Sequence, residues 1–312
     1  MTQSSAAPFL RIGSRGSPLA LWQAHDVRAR LAAAHGVAPD SIAITVIKTS
    51  GDVIQDRPLS EVGGKGLFTK EIEQALIERS IDLAVHSSKD MPTVLPDGLM
   101  LAACLPREDV RDAFIGRTAA TLDALAPGAV VGTASLRRQA MVKRLRPDIT
   151  VVPFRGNVET RLKKLDDGVV DATLLALAGL NRLGRAAAAT SILDVDRFLP
   201  AVGQGAIGIE TRTEDRRTRE LLAAVDDADT LTALGAERAF LAVLDGSCRT
   251  PIAGHARIAA GTVAFRGMIL RPDGSESLET VRTGAIADAV RLGADAGREL
   301  KSRAAPDFFT AG

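Results

Sequence analysis

Short apolar runs alternate with longer amphipathic stretches along the first two thirds of the chain. "FLRIGSR" predicts a short strand closing on glycine. "SPLALWQAHDVRARLAAAH" predicts a helix with Ser17 as N-cap, Pro18 at the first position and Gly36 ending it. "SIAITVIKT" predicts a strand. "GLFTKEIEQALIERS" predicts a helix with Leu67, Ile72, Leu76 and Ile77 on one face. "IDLAVHS" is a continuous apolar run, as in a strand covered on both faces. Alternating strand and helix predict an α/β domain with a mainly parallel sheet.

A second α/β series starts near Asp112. "AVVGTAS" predicts a strand, "SLRRQAMVKRLR" a helix stopped by Pro147, "ITVVPFRG" a strand and "NVETRLKKLDDG" a helix. "VDATLLALAGLNRLG" runs from strand into helix, and "LPAVGQGAIGIETR" returns as a glycine-rich turn and a strand. Two α/β units of similar size predict two lobes with a cleft between them, a common place for a small-molecule site. A third unit begins near Thr230 with helix "TALGAERAFLAVL". It continues through the strands of "AGHARIAAGTVAFRGMILRPDG" and ends in helix "DAVRLGADAGRELKSR". That pattern predicts a small α+β domain.

Composition narrows the class. The 312 residues carry a net charge of +1, so no global field draws in nucleic acid or an anionic membrane. Aromatics are 3% with no tyrosine, which argues against recognition of single strands by stacking. Two cysteines, Cys104 and Cys248, make neither a disulfide framework nor a Cys-rich zinc site, and they fit a reducing compartment. Four histidines without ligand spacing leave no metal site expected. The N-terminal stretch lacks the pattern of a secretory signal, and no apolar run approaches the ~20 residues of a bilayer span. The expected location is the cytoplasm, with residues 1–8 as a loose tail.

Candidate chemistry is local. Between Gly132 and Lys164 nine Lys/Arg stand against two Asp/Glu. A solvated helix face accounts for many such runs, and Lys143, Arg144, Lys163 and Lys164 are read that way. Arg137 and Arg138 differ, because they fall in the first turn of a helix, where the macrodipole disfavours cations. Arg155 follows the next strand and Arg161 lies in the helix after it. In an open α/β sheet the loops after the strands line the ligand crevice. Arginine binds carboxylates bidentately, and helix N–H groups near Thr133 and Ser135 add donors, so a polyanion site is expected here. In "AVHSSKDMP", Lys89 and Asp90 fall in the loop beyond a strand. Asp90 reads either as a turn cap or as a carboxylate facing the crevice, and His86 either as a base or as a satisfied core histidine. Three glycines around Lys65 in "SEVGGKGLF" lack Walker spacing and read as a lid or as an anion contact. In "LDGSCRTPIAGH", Cys248 sits in a polar turn beside Arg249. A small buried side chain and a reactive or modified thiol both remain open.

Taken together these stretches resemble the porphobilinogen deaminase family. The motifs are "RIGSRGSPLALWQA", "GDVIQDRPLSEVGGKGLF", "DLAVHSSKDMP", "REDVRDAF", "VGTASLRRQ", "RGNVETRL", "LALAGLNRLG", "LPAVGQGAIGIE" and "DGSCRTPI". They occur in family order over almost the whole chain. The resemblance implies two lobes like those of type II periplasmic binding proteins and a small C-terminal α+β domain. It places domain 1 at 1–105 with 206–223, domain 2 at 111–199, and domain 3 at 228–312. It implies a transferase that joins four porphobilinogen molecules head to tail, releases four ammonia and frees hydroxymethylbilane by hydrolysis. It also implies a dipyrromethane cofactor held by a thioether at Cys248, a monomer, and no nucleic-acid or membrane partner.

Each pyrrole ring carries an acetate and a propionate, so the growing chain needs many fixed cations. By motif match the implied binding set is Arg15, Ser17, Lys65, Lys89, Ser135, Arg137, Arg138, Arg155, Arg161 and Arg182. Asp90 is the implied catalytic acid, able to stabilise the positive charge that develops as ammonia leaves. The chain departs from the family at Ser247, Arg249 and Ser88, which are expected to tune the sites. A bilobal anion-binding protein without catalysis would explain lobes and arginines but leave Cys248 without a role. A cysteine hydrolase using Cys248 and His255 lacks an oxyanion motif.

Overall fold

The computed structural model describes residues 8–53, 66–246 and 250–310. The expected N-terminal tail up to residue 7, Lys65, Ser247, Cys248 and Arg249 lie outside the described residues.

The first lobe opens with β1 (Leu10–Ser14), α1 (Pro18–His35) and β2 (Ile42–Val46). The start and stop signals of α1 act as predicted. Ser17 Oγ accepts from the Ala20 N–H, Pro18 fills the first turn, and Gly36 takes a left-handed conformation (φ 63°). Its buried face, Ala24, Val27 and Leu31, packs on Leu10, Ile12, Leu83 and Val85. After α2 (Ser50–Val53) and α3 (Lys70–Ile77) come β3 (Leu83–Ser87) and β4 (Leu99–Cys104). The chain then crosses to the second lobe. There β5 (Asp112–Gly116), β6 (Val130–Gly132), α4 (Leu136–Leu145), β7 (Thr150–Val152), α5 (Val158–Asp166), β8 (Ala172–Ala176), α6 (Leu177–Arg182) and β9 (Ser191–Ile192) follow in order. It crosses back into β10 (Ile207–Arg212), which enters the first sheet, and α7 (Arg216–Leu222) covers the return.

The two lobe sheets share one topology. Their orders are β2-β1-β3-β10-β4 and β7-β6-β8-β5-β9. In each, four strands run in one direction and one inserted strand runs antiparallel to its neighbours: β10 against β3 and β4, β5 against β8 and β9. The antiparallel strand is in both cases the first after a crossing between lobes.

The third unit is the antiparallel meander β11 (Ile252–Ala259), β12 (Thr262–Leu270) and β13 (Ser277–Ala285), covered by α8 (Ala228–Val243) and α9 (Ala289–Arg303). The two helices approach so closely at Gly293 that a Cβ there would lie 2.0 Å from the Ala236 carbonyl oxygen. Phe240 and Phe265 stack at 5.0 Å in the core below. This unit docks on the second lobe. Ala253, Met268 and Leu270 share a core with Phe114 and Met141, and Gly274 in the β12–β13 turn (φ 75°) lies against the backbone of Ala140 and Arg144. It also holds both crossings. The buried Glu237 carboxylate accepts from Arg107 of the first crossing (2.6 and 3.0 Å), from the Gly203 N–H of the second (2.7 Å) and from the Ala256 N–H (2.8 Å).

Some elements differ from expectation. α3 is shorter than its motif, and Ile77 is exposed. At 100° per residue Ile72 and Leu76 share a face, whereas Ile77 turns away from it. Among the described residues no helix is long and apolar enough to cross a membrane.

Candidate active site

The C-terminal end of β3 builds one wall of the cleft. Leu83, Ala84 and Val85 are buried, Ser87 Oγ accepts from Gln23 Nε2 (2.9 Å), and the chain turns through a short helical turn over Ser88–Asp90. Pro92 forces Met91 into an extended conformation (ψ 146°) and so ends that turn. Lys89 and Asp90 are left half-buried at its tip. Asp90 lines a cavity with Arg15, Ser17, Gln23, Phe68, Thr69 and His86. Arg15 is held at the rim by Asp52 (2.5 Å), and its guanidinium lies over the Phe68 ring at 4.2 Å. Ser17 caps α1 by accepting from the Ala20 N–H and lines the same cavity.

The second lobe supplies the facing wall. Ser135 caps α4 by accepting from the Arg138 N–H. Arg161 donates to the Gly156 carbonyl (2.9 Å), and Arg155 lies close enough to lower its pKa. Burial is the main cause that pulls Arg161 down, to about 10, with Arg138 and Arg155 adding to it and Asp90 opposing. Lys89 is likewise pulled down, to about 8, by burial first and Arg138 next, while Asp90 and Asp112 oppose. Cations from both lobes therefore crowd around Asp90, and the crowding penalises their charge. A ligand rich in carboxylates relieves that penalty, so the residues fit a polycarboxylate pyrrole chain. Arg182 stands at the lobe junction, donating to the Gly205 carbonyl (2.7 Å) with its guanidinium 5.9 Å from the Trp22 ring.

Arg137 and Arg138 are placed otherwise than free forks awaiting a ligand. Both are buried and converge on Asp112, which is fully enclosed. Arg137 donates to Asp112 Oδ2 (2.8 Å) and to the Leu199 carbonyl (2.8 Å). Arg138 donates to Asp112 Oδ1 (3.0 and 2.8 Å) and to the Leu174 carbonyl (3.1 Å). Gln204, from the second crossing, donates to the same Oδ1 (3.1 Å). Burial works against the Asp112 carboxylate, yet the two guanidinium groups outweigh it and hold its pKa at about 2. Burial also pushes Arg137 down from its very high ordinary value, while Asp112 holds it up. Two cations against one anion leave the group net positive behind Lys89.

Sequence reasoning did not single out Asp112, Gln23 or Gln204. Asp112 stands in the quoted motif "REDVRDAF", but its partners are 25 and 26 residues away and only the fold joins them. Gly246, the last described residue before Cys248, accepts from Thr93 Oγ1 (2.9 Å), just past Asp90.

Residues 10–220 match the model of the porphobilinogen deaminase dipyromethane cofactor binding domain, and residues 231–302 match the porphobilinogen deaminase C-terminal domain. The chain is 65% identical over 299 residues to a porphobilinogen deaminase of Nitrobacter hamburgensis, covering 96% of this chain and 95% of that one. It is 57% identical over 300 residues to that of Paracoccus denitrificans, covering 96% of each. Similar solved structures include a TRAP periplasmic solute binding protein of Desulfovibrio salexigens, at 10% identity and a TM-score of 0.44 over 72% of this chain and 73% of that one. A periplasmic binding protein of Salmonella typhimurium with high arginine specificity matches at 12% identity and a TM-score of 0.39 over 69% and 91%. The two lobes, the cationic cleft and the family matches define a transferase of tetrapyrrole biosynthesis. The chain belongs to the porphobilinogen deaminase family, whose activity is hydroxymethylbilane synthesis on a dipyrromethane cofactor. That does not favour the non-catalytic binding protein.

Proposed function

We propose that the cleft between the lobes holds dipyrromethane through a thioether at Cys248, and that Asp90 is the catalytic carboxylate for each porphobilinogen added. The observation that carries this reading is the meeting of Lys89 of the first lobe and Arg161 of the second at Asp90, which lines one cavity with Arg15 and Ser17. The cofactor, when bound, supplies the nucleophilic pyrrole carbon to which the first substrate unit is joined. Asp90 then hydrogen-bonds pyrrole N–H groups and stabilises the positive charge that develops on the substrate as ammonia departs. Arg15, Ser17, Lys65, Lys89, Ser135, Arg155, Arg161 and Arg182 bind the acetate and propionate side chains. Arg137 and Arg138 act chiefly through potential, as a net-positive group with Asp112 beneath the chain.

The domains run over 1–105 with 206–223, 111–199 and 228–312, and the enzyme works as a cytoplasmic monomer. The tie from Thr93 to Gly246 supports a cofactor anchored in the third domain and presented beside Asp90.

Replacing Arg137 or Arg138 with Leu tests the arginine role. Intact mass of the purified variant should show reduced dipyrromethane loading, or a ladder of partly elongated forms after incubation with porphobilinogen. Full loading and complete elongation in both variants would remove these residues from the site.

A further inference from the structure

Below Asp90, on the face of the first sheet covered by α3, three titratable side chains are buried together without the partners such groups require. His86 is 5% exposed and Glu210 is fully enclosed. They stand on neighbouring strands β3 and β10, with His86 Nε2 3.2 Å from Glu210 Oε2. The contact has ion-pair distance but not the alignment of a hydrogen bond. His86 Nε2 and both Glu210 oxygens have no hydrogen-bond partner. Glu73 of α3 completes the group. It is 6% exposed, one of its oxygens is also unpartnered, and it feels both His86 and Glu210. Arg238 of α8 is the cation that faces Glu210 from the other side, and it spends its Nη2 on the Pro92 and Thr93 carbonyls.

Buried carboxylates and imidazoles are ordinarily fully hydrogen-bonded, and an unsatisfied cluster calls for a reason. Burial pushes the Glu73 pKa up, in favour of its neutral form. The three side chains thus bring proton-accepting atoms together in one buried cluster. It is not isolated from the chemistry, because His86 and Asp90 line the same cavity.

Each condensation has a proton to move. The C–N bond of the substrate's protonated aminomethyl group breaks with its electron pair on nitrogen, giving ammonia and an electron-poor methylene carbon. The α-carbon of the accepting pyrrole supplies the pair for the new C–C bond and then loses its proton. The balance closes when that proton reaches the ammonia, which leaves as ammonium. We propose that His86, backed by Glu210 and Glu73, holds this proton in transit and exchanges it through Asp90. His86 ends each cycle in the state in which it began. It acts through Asp90 and is not itself a catalytic residue. Imidazole suits the task as the side chain that exchanges protons most readily near neutral pH. The inference rests on the reading of Asp90 given above.

The test compares the wild type with His86→Gln, using porphobilinogen and porphobilinogen deuterated at the free α-carbon. The expected result is a kcat lower by about tenfold or more with KM little changed, a larger primary isotope effect, and loss of one limb of the kcat–pH profile. An unchanged isotope effect and pH profile would overturn the proposal, whatever the fall in rate. Should His86→Gln fail to fold, Glu210→Gln, which keeps shape and removes charge, must show the same isotope effect, and an unchanged effect there overturns the proposal. A readout independent of turnover is the ¹⁵N NMR of the four histidines: the His86 imidazole signals should move in Glu210→Gln, and unmoved signals would show the pair to be uncoupled. Asp90→Asn separates the two readings, since turnover by that variant would overturn the assignment of Asp90 itself.

Discussion

Asp90→Ala is expected to lose at least about a hundredfold in turnover, the lower range for removing a positioned acid–base group. Its fold should persist. Asp90 is half-buried in a turn whose geometry is set by Pro92, and Lys89 and Arg161 are cations near it. Removing it leaves Lys89 and Arg161 without the carboxylate that opposes their loss of charge. Substrate carboxylates are still attracted, so binding should survive better than chemistry. Single-turnover kinetics with porphobilinogen, beside thermal unfolding, checks both halves. Turnover near the wild-type value would end the catalytic role of Asp90.

Asp112→Ala is expected to be the most destabilising single change in the cleft. It strands two buried guanidinium groups a few ångströms apart, and breaking a buried ion pair from one side costs about 3–5 kcal/mol. Gln204 would also lose the carboxylate oxygen that joins the second crossing to the second lobe. Urea unfolding at neutral pH should show this as a large drop in midpoint. Asp112→Asn should fall between, since it keeps the shape and loses the charge. Acid provides a second check. The Asp112 pKa is held below its ordinary 3.8, at about 2. Its contribution to stability is therefore fully present above about pH 4 and is lost as pH falls through about 2. The gap between wild type and Asp112→Asn should close over that window. A variant as stable as the wild type at pH 7 would show the triad to be incidental.

What was legible in the sequence was local. Ser17, Pro18 and Gly36 announced both ends of α1, and Pro147 announced the end of α4, because caps and breakers act within a few residues. The basic run around Arg137 was visible for the same reason. Its meaning was only half visible. The sequence shows cations in a first turn, but not the Asp112 carboxylate that the fold brings under them from another strand. The proton-holding group was hidden for a related cause, because Glu73, His86 and Glu210 lie on three elements far apart in the chain. Strands β4, β5, β9 and β13 were not read as strands. β9 is two residues long, and β13, "SLETVRTGA", is largely solvent-facing and lacks an apolar run. The antiparallel strand in each lobe sheet was also unreadable, since strand direction follows from where the chain crosses and not from any local pattern. The motif around Cys248 was the reverse case, informative in sequence and outside the described residues.

The most direct test of the whole account is the intact mass of the protein under denaturing conditions, for the wild type and for Cys248→Ala. The wild type should carry an excess of two linked pyrrole units that survives denaturation, and Cys248→Ala should carry none and be inactive. An unmodified wild-type mass that gains nothing on incubation with porphobilinogen, or an adduct that persists in Cys248→Ala, would contradict the account.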